Sequence, residues 1–172
     1  MNVLHLAENI QMQQALVFYS MYQVENAAVM TEAIKETNRL LVELNHEYRL
    51  IISSYKDTKA LQNLTDLVKH LRTYATDICV VATNAASYMT SWKGYMNMFV
   101  QNSDSSVRAL ALQQATTNKN GLDQYRDTIE FEERDNVANA ISDYVVFLSR
   151  LFKVDFNINY EVPKIEPVTK QN

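Results

Sequence analysis

From Thr58 to Val100 an apolar residue recurs at every third or fourth position: Leu61, Leu64, Val68, Leu71, Ala75, Ile78, Ala82, Ala85, Met89, Trp92, Met96 and Phe99. A helix turns once per 3.6 residues, so this alternation keeps one stripe on one side. A second row runs beside it at spacing seven: Ala60, Leu67, Tyr74, Val81, Tyr88 and Tyr95. Three apolar positions per heptad make a face wide enough for two neighbouring helices, a bundle and not a simple two-stranded coil. At about 1.5 Å per residue this helix would be on the order of 65 Å long.

The preceding stretch reads as one helix from about Val3 to Tyr55. Its second half carries Ala27, Met30, Ile34, Leu41, Leu44, Tyr48 and Ile51. Its first half carries Ile10, Val17, Met21 and Val24 on a shifted stripe. Such a phase slip near residues 24–30 locally changes helix winding. Ser53-Ser54-Tyr55-Lys56-Asp57-Thr58 is the break, with Asp57 or Thr58 able to cap the next helix. A short connection implies antiparallel packing.

The capping cluster Gln101–Ser106 ends the second helix. The third opens with Val107, Leu110 and Leu112, and Asn118-Lys119-Asn120-Gly121 is expected to break it near 118–121, because Gly and Asn tolerate the left-handed cap conformation. Val137, Ile141, Tyr144, Leu148 and Leu151 restore the period to about Phe152. With these turns, the start of the first helix should lie against the end of the second, placing Phe18, Tyr19, Met21 and Tyr22 opposite Met89, Trp92, Tyr95, Met96 and Phe99.

Beyond residue 154 the pattern changes to period two. Phe156, Ile158, Tyr160 and Val162 alternate with Asn157, Asn159 and Glu161, the signature of a strand, and Pro163 and Pro167 keep the rest of the chain extended. A lone strand is not stable by itself, so it must find a partner. The fold expected is therefore all-α: an elongated antiparallel three-helix bundle over 1–154, with an extended, strand-like C-terminal arm over 155–172.

Two glycines and two prolines in 172 residues agree with few turns and long helices. The net charge of −4 argues against a general nucleic-acid binder. Cys79, the single cysteine, leaves no internal disulfide to form and reads as a small core residue. The N-terminal residues show no basic region and no apolar run of signal-peptide length, and Tyr74–Trp92 is too polar for a membrane span. These features imply a location in the cytoplasm or within an assembled particle, with no signal peptide or transmembrane helix.

No motif carries chemistry. Glu43-x-x-His46 is half of the di-iron pattern of ferritin-like bundles, but no second Glu-x-x-His exists and His46 lies off the apolar stripe. The acidic run Glu130, Glu132, Glu133, Asp135 around Arg134 reads as a solvated face, and Asp66-x-x-x-His70 as a local surface pair. No phosphate loop or nucleophile–base arrangement is present. No catalytic residue, metal ligand or cofactor is expected.

Lysine and arginine are absent from residues 1–34 and 73–92. Faces bearing Gln11, Gln13, Gln14, Asn26, Thr76, Thr83, Asn84 and Ser87 would be polar without charge, which suits contact with other protein. The function expected is a non-enzymatic structural or assembly protein: a helical, coiled-coil-like subunit of a larger multimer, such as a phage virion ring or internal component, or part of a secretion or conjugation apparatus. Its partners would be copies of itself and other protein subunits, with no nucleic acid. The interaction residues expected are Phe156, Ile158, Tyr160 and Val162 on the arm, with Trp92 and Tyr95 on the aromatic end of the second helix. Two alternatives remain: an adaptor, chaperone or inhibitor binding one protein along a helix groove, and a membrane-active hairpin using the Met/aromatic end as a tip.

Overall fold

A computed structural model describes residues 2–54 and 61–152. The described residues are all-helical and include no strand. Their order is α1 (Asn2–Ser20), α2 (Ala27–Ser54), α3 (Gln62–Gln101), α4 (Ser105–Thr128) and α5 (Arg134–Phe152). The arm expected at 155–172, with Phe156, Ile158, Tyr160 and Val162, lies outside the described residues, as do Asp57 and Thr58.

Five helices thus replace the three expected. The first helix does not run through to Tyr55 but stops at Ser20, and what reads as a phase slip is a reversal of chain. The last turn tightens through i→i−3 bonds, Met21 N–H to Phe18 C=O and Tyr22 N–H to Tyr19 C=O. Asn26 opens α2, its carbonyl accepting from the N–H groups of Val29 and Met30. Arg126 of α4 braces this turn. Its guanidinium lies 3.9 Å from the Tyr22 ring centroid and donates to the Met21 carbonyl at 3.5 Å and the Asp123 carboxylate at 3.0 Å.

Gly121 sits inside α4 and breaks nothing, contrary to the interruption expected near 118–121. The break comes at Ile129, whose extended backbone ends the helix. The buried face of α4 is Ala111, Ala115, Leu122 and Arg126, while Leu110 and Leu112 are exposed.

The chain divides into two compact units. The first comprises residues 2–14, 36–54, 61–78 and 131–152: the starts of α1 and α3, most of α2, and α5. Its core holds Ile10, Leu40, Leu44, Leu64, Leu67, Leu71, Tyr74 and Ile78, all within 1% of full burial. The start of α1 therefore belongs with the start of α3, not with its end, because the chain reverses at 21–26. On α1, Gln11 and Gln14 are 1% and 2% exposed, so they face this core and not the water or a partner as their polarity suggests. The Tyr74 hydroxyl donates to Gln14 Oε1 at 2.7 Å, and Phe131 sets its ring edgewise against Tyr74.

The second unit comprises residues 15–35 and 79–130. Met21, Met30, Ala82, Ala85, Met89 and Leu122 are fully buried. Cys79 is half-buried, and burial pushes its thiol pKa up. Tyr88 packs against Gly121, and Tyr125, whose hydroxyl accepts from Asn84 at 3.1 Å, lies beside the Tyr88 ring.

Candidate interaction surface

The apolar ladder of α3 is longer than the core it serves. Leu61, Leu64, Val68, Leu71, Ala75, Ile78, Ala82, Ala85 and Met89 are all buried. The same ladder continues in register through Trp92, Met96 and Phe99, and these are only half-buried. No residue from 90 to 110 is buried, although the segment carries Trp92, Tyr95, Met96, Met98, Phe99, Val100, Val107 and Leu110. Val100 is 74% exposed and Leu110 58%.

Local sequence builds this hairpin end firmly. Asn102 closes α3, donating from both its backbone N–H and its side-chain amide to the Met98 carbonyl. Asp104 caps α4 from an extended backbone, its carboxylate accepting from Ser106 N–H at 2.8 Å, which satisfies a donor that a helix start otherwise leaves open. Arg108, one turn in, lies over the Phe99 ring with its guanidinium carbon 4.6 Å from the centroid, a cation–π contact across the connection. Three residues, 102–104, join the two helices, which holds them antiparallel.

Of the expected interaction residues, Trp92 and Tyr95 are thus brought together on one hairpin end with Met98, Val100 and Leu110, which sequence reading does not single out. On a 100° per residue wheel, Tyr95, Phe99, Trp92, Met96 and Val100 span an arc of about 140°. α4 meets this face through Arg108 over Phe99 and leaves every residue of 90–110 short of burial. Continuity with the buried ladder is the available signal for Val100. Leu110 carries none, since its position in an apolar helix start reads as core.

A second feature lies in the first unit. A notch of about 140 Å³ is lined by Asn63, Asp66, His70, Asn136, Asn139, Ala140 and Asp143. The surface pair expected of Asp66 and His70 gives way to other partners. Asp66 accepts from the Gln62 side-chain amide at 2.9 Å, while His70 Nδ1 is 2.9 Å from Glu133 Oε2 just before α5, and the Asn136 side-chain amide donates to the same oxygen at 3.3 Å. The hydrogen bond from His70, followed by that from Asn136, holds the Glu133 carboxyl below its ordinary pKa of 4.5. Asp77 moves the other way. Burial, then the nearby charges of Glu133 and Glu132, raise it above 3.8. Glu133 is therefore a pinned member of the acidic run and not simply a solvated one.

The Glu43-x-x-His46 pair lies beside His5 and Glu47 in an open groove of about 490 Å³ in the same unit. Arg39 takes up Glu43 as an ion-pair partner. Among the described residues no group of three or more His, Cys, Asp or Glu side chains is placed to hold a metal ion, and no helix is long and apolar enough to cross a membrane. No known family, curated protein or solved structure matches the chain.

Proposed function

We propose that this chain is a non-enzymatic assembly subunit whose α3–α4 hairpin end engages other protein. The observation that carries this reading is the run of the α3 ladder past Met89 in unbroken register, where burial stops but the apolar side chains do not. An exposed contiguous apolar surface bearing aromatic and Met side chains has the composition of an interface centre. Residues 90–110 carry just three charged side chains, Lys93, Asp104 and Arg108, and depletion of charge at the centre is the other mark of such surfaces. The sequence alternation of Phe156, Ile158, Tyr160 and Val162 with Asn157, Asn159 and Glu161 suits a second means of tying subunits together, through main-chain pairing.

Light scattering on the full chain, separated by size at several concentrations, tests the reading. A particle mass above the 19.8 kDa of one chain is expected. A mass of one chain at every concentration would contradict it.

A further inference from the structure

We infer that the hairpin end pairs with the hairpin end of a second copy about a two-fold axis, forming a short antiparallel four-helix bundle. This rests on the assembly reading above and names its partner.

The number of neighbours points to a second copy. A helix with three apolar positions per heptad needs two flanking helices. Up to Met89 α3 has a buried ladder; beyond it the ladder keeps its width while α4 is the one helix joined to it across a three-residue turn. Two antiparallel helices are half of a four-helix bundle, and an identical hairpin placed side by side and upside down supplies the missing half. A two-fold contact also uses the same patch on both copies, so it closes and does not propagate.

Charge points the same way. Lys93 is exposed and makes no ion pair among the described residues, and Asp104 stands at the hairpin's turn, using one carboxylate oxygen to cap α4. Lys93 is eight residues, roughly 12 Å, below the last residue of α3. If two hairpins overlap by that length, the tip of each reaches the level of Lys93 on the other. Lys93 of one copy then faces Asp104 of its partner, twice, by symmetry. Arg108 lies over the Phe99 ring, which holds its guanidinium against its own hairpin.

The overlap spans roughly residues 92–113 of each copy, about two turns of each helix. Val100 and Leu110, the most exposed apolar residues of this surface, would supply the area now open to water.

The test uses the full chain. The double variant Val100→Glu/Leu110→Glu changes two side chains that no core needs, so helical circular dichroism should be unchanged. We expect the mass by light scattering to fall to half the wild-type value. A mixture of Lys93→Cys and Ser103→Cys chains, each also carrying Cys79→Ala, should give mainly the mixed disulfide on mild oxidation. Multimers whose mass survives the double variant overturn this inference while leaving the assembly reading intact. A Lys93→Cys chain that links to itself in preference to Ser103→Cys overturns the antiparallel arrangement. A wild-type chain that is monomeric at every concentration overturns both readings, and if that monomer floats with phosphatidylcholine/phosphatidylglycerol vesicles, the hairpin end is a membrane contact instead.

Discussion

Gly121 of α4 faces the ring of Tyr88 on α3 so closely that a Cβ built on the glycine would stand 2.7 Å from Tyr88 Cε1. The glycine is there for that approach, since its helical position demands no unusual backbone. Gly94, by contrast, would place a Cβ in open space. Alanine in a helix interior is favoured over glycine by about 1 kcal/mol. Gly94→Ala should therefore raise the stability by up to about that amount, whereas Gly121→Val should lower it by about 1–3 kcal/mol through overpacking. Urea unfolding of both variants checks the contrast.

Asp77 and Glu133 should shift stability in opposite directions. Burial holds Asp77 above its ordinary 3.8. Its native-state cost is absent below that value and complete once pH has risen through the raised one, so Asp77→Asn should stabilise at neutral pH. His70 holds Glu133 below 4.5. That contribution is present above 4.5 and lost as pH falls through the lowered value, so Glu133→Gln should destabilise at neutral pH and converge with wild type in acid. Melting temperatures across pH 3–7 (about the span in which carboxyl groups titrate) would show both trends.

Gln11 has both polar side-chain atoms buried with no hydrogen-bond partner among the described residues, at 1% exposure. An unsatisfied buried polar group costs about 1–3 kcal/mol. Gln11→Leu removes that cost at similar volume and should raise the melting temperature, while Gln14→Leu should gain less, since it also removes the Oε1 that accepts from the Tyr74 hydroxyl.

The same glutamines mark where sequence reading stops working. Polarity places Gln11 and Gln14 on a wet face, and burial overrides it. The α3 ladder is legible because forty residues in one phase leave no competing register. The reversal at 21–26 is not, because it contains neither Gly nor Pro and buries Met21 and Val24, so an apolar turn imitates a helical stripe. Its brace, Arg126, lies over a hundred residues away in the chain. Gly121 misleads for the opposite reason: a residue that often ends helices is used here for close packing. At the candidate surface, Trp92 and Tyr95 can be named from periodicity, but that the ladder outlasts its core depends on where the other helices end, which periodicity does not encode.

Trp92 is the chain's one tryptophan, and it sits at the first rung of the ladder past Met89, so its fluorescence reports directly on whether that face becomes covered. Its emission should shift to shorter wavelength and its acrylamide quenching should weaken as the chain is concentrated, with both changes abolished by Val100→Glu/Leu110→Glu. Emission and quenching that stay the same across all concentrations would contradict coverage of the hairpin end by a second copy.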